Sequence, residues 1–381
     1  MRNRCMILVL LLVLTQIPCR AAAVELDVGG KSALLMDVAT GTVLFEQNAH
    51  EQLAPASVTK VMTLLLIMEA IDSGKIQWTD SVTASEAAAA KGGSQVYLKV
   101  GEAMSVSDMV KSIAVSSAND CACAMAEYIA GSEAAFVDAM NRRAEELGMK
   151  DTHFVNCTGL DDGENAAQHR TSAHDIALMS RELMQHHPDI KQYTTIWMDT
   201  IRGGAFGLSN TNKLIRFYPG ATGLKTGFTS GAGYCLSATA EREGLELIAV
   251  VMGCETSNIR TAACKSMLDY GFANFSLFAP EADPSASVPV QLGHAPEVAA
   301  RPGEGIRLLV DKAKKEAITT EISLEESVAA PVAQGQKLGT MTVKSEEQIL
   351  AEIPLVAAED VSRLSWWNLT VIILKQIAMA K

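Results

Sequence analysis

The sequence predicts an α+β fold: a mixed sheet flanked by a helical region forms one large domain, a small all-β domain follows, and a helix closes the chain. Three observations carry the prediction. Apolar, β-type runs around tight turns stand near both ends of the large segment, as in SALLMDVATGTVLFEQN and CLSATAEREGLELIAVVMGCE. Between them, Ala, Met and Leu recur at helical spacing. Beyond a stretch rich in Pro, Gly and Ala, short apolar and polar pieces alternate at strand length. Strands from the two ends of a domain, with helices between, close into one helix-covered sheet.

Taken in order, MRNRCMILVLLLVLTQIPCRAAAVEL sets Arg2 and Arg4 before a short apolar core that ends at Ala21 to Ala23. This is the layout of a secretory signal peptide over residues 1–23, and the mature chain is expected to start near Val24. Residues 24–278 form the large domain. Its first hairpin turns around Thr40 and Gly41. A helix follows Pro55 and runs apolar on nearly every side to Gly74, which predicts a buried helix with Ser57 at its start. From about Thr79 to His187 the chain is mainly helical, and two strands around the turn at Arg242 to Gly244 precede a helix near Asn258 to Tyr270.

Residues 279–362 are expected to form the small β domain, entered through a linker from Ala279 to Gly305. Its strands are IRLLVD, ITTEISL, KLGTMTV and ILAEIPLVA. Residues 363–381 form an amphipathic helix at ~100° per residue. Ser365, Asn368, Lys375 and Gln376 share one side, and Trp366, Trp367, Val371, Leu374 and Ile377 the other, with Ile372 intruding. Paired tryptophans and few charges suit an anchor lying in a membrane surface. The segment is also near the ~17-residue minimum for a single span, and a helix packing on the protein is the third reading.

Without Arg2, Arg4 and Arg20, three of the 32 basic residues, 29 remain against 44 carboxylates, a mature net charge of −15. Nucleic acid is excluded as a partner, because binding it needs a basic footprint. Of eight cysteines, Cys5 and Cys19 leave with the leader, and six in a large domain are too few for a disulfide scaffold. Cys121 and Cys123 point to different sides of a helix with no further ligand pair, so they read as small buried thiols. His186 and His187 precede a proline outside any HExxH context and read as a solvated helix end, so no metal site is expected.

The stretch GLKTGFTSGAGYCLSATA opens a strand with Lys225, Thr226 and Gly227. A lysine at a strand mouth is ordinarily a solvated edge charge that discourages strand pairing. Two further motifs give it partners. Ser57 and Lys60 form an SxxK, three apart on one helix face, and Ser117 and Asn119 form an SxN. Taken singly, the first is a helix cap with an exposed lysine and the second is turn chemistry. Taken together, they supply a nucleophile in Ser57 and a base in Lys60. A lysine can act as that base only if desolvation or a nearby cation such as Lys225 lowers its pKa.

On a loop facing Ser57, Ser117 can relay a proton to a leaving amine and Asn119 can hold a substrate amide, while Asp120 caps the following helix. Strand alternation puts Lys225, Gly227 and Thr229 on one face and Thr226 and Phe228 on the other. A peptide can then lie against Gly227 as an added strand, its terminal carboxylate meeting Lys225 and the hydroxyl of Thr226 or Thr229. The backbone N–H groups of Ser57 and Phe228 are the candidate oxyanion donors.

SxxK, SxN and KTG in this order match the active-site signature of penicillin-recognising serine acyl enzymes. With SANDCACAMAEYIAGSEAAFVDAMNRRAEELGMKDTHFVNCTGL, NTNKLI and APVAQGQKLGTMTV, the chain from Val24 onward resembles the low-molecular-mass penicillin-binding proteins, the serine D-alanyl-D-alanine carboxypeptidases. The resemblance implies a β-lactamase/transpeptidase-like catalytic domain and a peptidoglycan stem peptide as substrate. It further implies acylation of Ser57, β-lactams as inhibitors, no metal or organic cofactor, and an extracytoplasmic, membrane-attached enzyme. Some members carry histidine directly after KTG, where Phe228 stands here.

Three other classes use the same residues. A class A β-lactamase shares the chemistry but usually lacks the β domain and anchor. A D,D-endopeptidase of the same family would cut crosslinks with the same serine, and an inert wall-binding protein would have lost motif residues that are all intact here. A triad of Ser57 with His174 and Asp175 is disfavoured, because a lysine base leaves histidine no role.

Overall fold

The computed structural model describes residues 26–161, 165–281, 286–303, 306–346 and 348–379, so the expected leader lies outside the described residues. The large domain is organised by a five-stranded sheet of β1 (Ser32–Asp37), β2 (Val43–Gln47), β3 (Ala221–Thr229), β4 (Gly233–Arg242) and β5 (Leu245–Cys254), in the order β2-β1-β5-β4-β3. Every pairing is antiparallel, with Leu34 opposite Val250 where the two chain ends meet. The expected mixed sheet is therefore corrected. Hairpins join β1 to β2 and β3 through β5, so no strand needs a parallel crossover.

Both faces of the sheet are buried. Leu34, Met36, Ile248, Val250 and Met252 meet the helical lobe, whereas Ala33, Leu35, Leu247, Ala249 and Val251 meet Met267, Leu268 and Phe272 of the C-terminal helix of the domain. Double burial explains why LELIAVVMGC reads as a continuous apolar run rather than an alternating one.

The helices that position the site are α1 (Lys60–Asp72), α2 (Val106–Ser116), α3 (Asn119–Ala130), α4 (Glu133–Glu146), α5 (Ala173–His186) and α6 (Ser257–Asn274). Val61, Met62, Leu64, Leu65, Ile67 and Met68 are all fully buried, so α1 runs through the middle of the lobe as its all-round apolarity predicts. The α-helix starts at Lys60 rather than at Ser57. Ser57 belongs to a 3₁₀ turn, Ala56–Thr59, entered through Ala56 at φ 47°.

Two expectations in the lobe are corrected. His187 is buried against Asp72 and ties the end of α5 to the end of α1, while His186 is the solvated one. Asp120 does not cap α3 from outside. It sits in the first turn and accepts the Val96, Leu98 and Cys121 N–H groups, fastening the preceding loop to the helix.

The expected linker is partly strand. A ribbon of β6 (Phe275–Phe278) and β9 (Leu308–Asp311) leads from α6 into the small domain, and β7 (Ser287–Gln291) and β8 (Glu297–Pro302) already belong to its sheet. With β10 (Ile318–Leu324), β11 (Lys337–Ser345) and β12 (Gln348–Ala357), the order is β10-β11-β12-β8-β7, extended by the short strand Val328–Ala329. Alternating Val288, Val298, Leu338, Met341, Val343, Ile353 and Leu355 form its own core.

A last helix, α7 (Trp366–Met379), exposes Trp366 and Trp367 at 87% and 76%. Among the described residues no helix is long and apolar enough to cross a membrane. The side chains of Ile372, Lys375, Gln376 and Ile377 lie outside the described ones.

Candidate active site

The 3₁₀ turn before α1 lifts Ser57 to a half-buried position and swings Lys60 underneath it. Lys60 Nζ lies 2.8 Å from Ser57 Oγ and donates to the Thr158 carbonyl at 2.9 Å. The ammonium is completely enclosed, and this burial lowers its pKa to about 7, although Cys157 and Asp120 work the other way. Near neutral pH a large share of the amine therefore has a free lone pair, which can accept the Ser57 proton.

Three supports hold the turn. Thr59 Oγ1 donates to the Ala56 carbonyl at 2.8 Å and lies 2.7 Å from His169 Nε2. His169 Nδ1 accepts the Val155 N–H, which assigns the ring proton to Nε2 and makes it the donor to Thr59. Burial pushes His169 down to about 4, with His153 and Arg170 adding to the effect, so the ring stays neutral. The third support is Gly159, at φ 83°, where a Cβ would lie 1.8 Å from the Ala56 carbonyl oxygen.

Strand β3 is one of the two edge strands of the sheet and packs against this turn. Gly227 permits the approach, since a Cβ there would lie 2.7 Å from the Pro55 carbonyl oxygen and 3.1 Å from Ser57 N. Lys225 is buried, not solvated, and donates to the Thr226 carbonyl at 2.8 Å. Burial, and then the charges of Lys60 and Arg260, hold it well below the ordinary lysine range. The strand's hydroxyls are engaged too: Thr226 Oγ1 donates to Thr211 Oγ1 at 2.7 Å, and Thr229 Oγ1 accepts the Ala232 N–H at 3.1 Å. Phe228 points outward, 52% exposed, against Tyr234 at 4.3 Å between ring centroids.

Ser117 ends α2 in the left-handed region at φ 63°, and the chain then turns directly into α3 at Asn119. Asn119 is buried. Its N–H donates to the Ser94 carbonyl and its Nδ2 to the Gly92 carbonyl, each at 2.7 Å, which leaves Oδ1 without a partner among the described residues. A buried unpaired amide oxygen costs about 1–3 kcal/mol, and a donor from a bound peptide would relieve that cost.

The SxxK turn thus packs against the KTG strand, and residues outside the motifs hold the strand in place. Arg260 on α6 donates to the Gly227 and Cys235 carbonyls at 3.2 and 3.4 Å. Thr211 bridges β3 to α2 by taking the Thr226 hydrogen bond and donating its N–H to the Val115 carbonyl. Thr158 and Gly92 act through backbone carbonyls, for which no side-chain signature exists in the sequence. The alternative triad is only half present: His174 Nδ1 lies 3.4 Å from Asp175 Oδ1, but the partner at Ser57 Oγ is Lys60. Asp175 accepts from Thr152 and from the Asp151 N–H, and His174 lies against His50.

A serine beside an enclosed, partly neutral lysine, at the open edge of an antiparallel sheet, is the apparatus of a lysine-assisted serine acyl-transfer fold. Family matches agree. Residues 19–256 match the D-alanyl-D-alanine carboxypeptidase family of peptidases S11, and residues 272–363 match the penicillin-binding protein 5 C-terminal domain. The chain belongs to the S11 D-alanyl-D-alanine carboxypeptidase family.

It is 43% identical over 345 residues to the D-alanyl-D-alanine carboxypeptidase DacF of Bacillus subtilis, covering 89% of this chain and 87% of that one. Penicillin-binding protein 5 from Haemophilus influenzae superposes with a TM-score of 0.74 at 30% identity, covering 89% of this chain and 99% of the other. Penicillin-binding protein D2 from Listeria monocytogenes, solved in an ampicillin-bound form, superposes with a TM-score of 0.59 at 33% identity. That match covers 65% of this chain and 99% of the other.

Proposed function

We propose that this protein removes the terminal D-alanine from peptidoglycan stem peptides through an acyl-enzyme on Ser57. Lys60 takes the Ser57 proton as Oγ attacks the penultimate D-alanine carbonyl. Ser117 relays a proton to the departing amine of the last D-alanine, and water then cleaves the ester to release the shortened peptide. Asn119 holds the peptide amide, and Lys225 with Thr226 or Thr229 receives the terminal carboxylate. The N–H groups of Ser57 and Phe228 receive the developing oxyanion, beside the side-chain-free gap at Gly227. A β-lactam acylates the same oxygen, its opened ring remaining attached. No metal or organic cofactor enters these steps.

The observation that carries the reading is the 2.8 Å approach of an enclosed Lys60 amine to Ser57 Oγ. The second matched domain supports the carboxypeptidase over a class A β-lactamase. The enzyme works outside the cytoplasmic membrane. In the same proposal, residues 1–23 are its export leader, 24–278 its catalytic domain and 279–362 its β domain. Residues 363–381 hold it to the membrane surface, a role supported by the exposed Trp366 and Trp367.

Intact mass after mixing with benzylpenicillin, followed by a D-alanine release assay, tests the chemistry. A penicilloyl adduct on Ser57 and released D-alanine are expected. Antibiotic hydrolysis without an adduct, or neither event, would overturn the assignment. Co-sedimentation with anionic vesicles, lost on truncation before Arg363, tests the anchor.

A further inference from the structure

We propose that Glu133, which belongs to none of the three motifs, is a positioning residue that holds both Lys60 and Asn119 in register. The inference rests on the reading of Ser57 and Lys60 as the reacting pair. Glu133 is the first residue of α4, and its carboxylate is a hub. Oε1 accepts the Cys157 N–H at 3.3 Å and the Cys157 thiol at 3.2 Å, while Oε2 accepts Lys91 Nζ at 2.6 Å and the Cys123 thiol at 3.8 Å.

Each arm ends one step from the chemistry. The residue after Cys157 is Thr158, whose carbonyl holds the Lys60 amine at 2.9 Å. The residue after Lys91 is Gly92, whose carbonyl holds Asn119 Nδ2 at 2.7 Å. Cys123 lies one helical turn beyond Asn119 on α3.

The electrostatics suit a fixed hub. Burial alone would raise the Glu133 carboxyl, but the hydrogen bond and charge of Lys91, with the Cys157 donors, outweigh it and keep the group ionised. The Cys123 hydrogen bond and burial push the Cys157 thiol well up, so it stays an S–H donor. Two fully buried thiols and a half-buried carboxylate beside a catalytic loop have no part in acyl transfer itself. Their placement accounts for how a loop remote in sequence presents the Thr158 carbonyl at a fixed point. That carbonyl stabilises the ammonium formed when Lys60 accepts the serine proton.

The test is the rate of benzylpenicillin acylation of the mature chain across the neutral pH range, in wild type, Ser57→Ala, Glu133→Gln and Lys91→Met, with melting temperatures alongside. Lys60 is faced by Lys225 from β3, Asp120 from α3 and Cys157 from the loop, and all three are unchanged in these variants. Glu133→Gln is expected to acylate roughly 10-fold more slowly, the worth of one charge-assisted hydrogen bond. Its acidic limb should move to lower pH, because the ammonium loses its carbonyl partner. Lys91→Met, at a partly exposed position, should slow acylation by about threefold through the Gly92–Asn119 arm, without moving the limb to lower pH, because the Thr158 carbonyl stays in place.

Acylation persisting in Ser57→Ala would remove the serine reading itself. Loss in Ser57→Ala with a wild-type rate and limb in Glu133→Gln would overturn the role of Glu133 alone. A slower Glu133→Gln with an unmoved limb would also overturn it, as mere structural support. If Glu133→Gln does not fold, a wild-type acylation rate in Lys91→Met overturns the proposal.

Discussion

Gly227 and Ser57 meet backbone to backbone: a Cβ at 227 would lie 3.1 Å from Ser57 N and closer still to the Pro55 carbonyl oxygen. Neither contact can yield, because both partners are backbone atoms, one in the turn that carries the nucleophile and one in the residue that leads into it. Gly227→Ala is therefore expected to push β3 away from the turn at a cost of about 1–3 kcal/mol, the usual range for overpacking. The second-order rate of penicillin acylation should fall by roughly 5- to 150-fold. A wild-type rate would show that the strand does not set the site.

The acid limb of D-alanine release should report Lys60. With its pKa lowered to about 7 by burial, the amine is mostly ammonium below that pH and unable to accept a proton. The kcat/KM profile should thus rise through about pH 7 rather than in the ordinary lysine range. Lys60→Arg, which keeps a cation but cannot deprotonate, should leave no measurable turnover. A profile flat from pH 5 to 9 in the wild type would exclude Lys60 as the base.

Lys225 is held well below the ordinary lysine range by burial and by its cationic neighbours, and an incoming carboxylate would reverse that balance. Substrate or penicillin binding should therefore be accompanied by proton uptake, measurable by titration calorimetry of the Ser57→Ala variant in buffers of different ionisation enthalpy. Lys225→Ala should abolish the uptake and weaken binding by about 1.5–3 kcal/mol. Equal heats in all buffers would show that Lys225 does not meet the carboxylate.

His169 should make the fold acid-sensitive. Its folded pKa, about 4, lies below its ordinary 6.5, so above pH 6.5 both folded and unfolded rings are neutral and nothing is lost. As pH falls from 6.5 towards 4, only the unfolded chain gains the proton. Stability should decline by up to about 3 kcal/mol across that window. Urea midpoints at neutral and mildly acid pH would measure the decline, and His169→Gln should flatten it. An equal slope in that variant would assign the acid sensitivity to other groups.

Much of this architecture can be read from local pattern. The all-round apolarity of VMTLLLIMEAI predicts a buried α1, and the segments SALLMD and LELIAVVMGC predict strands of a shared sheet. The errors lie where local pattern is silent about the partner. Strand direction depends on which elements connect β1 to β5. The proline-rich stretch after Ala279 hides β7 and β8, whose alternating Val288, Val290 and Val298 have a core to face only once the small domain has assembled. His187 reads as a solvent-facing helix end until α1 brings Asp72 beside it.

The sequence by itself determined the reactive groups: a serine and lysine three apart, an SxN, a KTG strand and the periodicities of the elements that carry them. Only the tertiary structure decided what those groups are. Lys60 and Lys225 become weak bases because the packed lobe excludes water from both, a property of burial rather than of residue type. The carbonyl that holds Lys60 comes from Thr158, 98 residues along the chain. Every residue has a backbone carbonyl, so nothing in a string of side chains marks the one that folding delivers to the site.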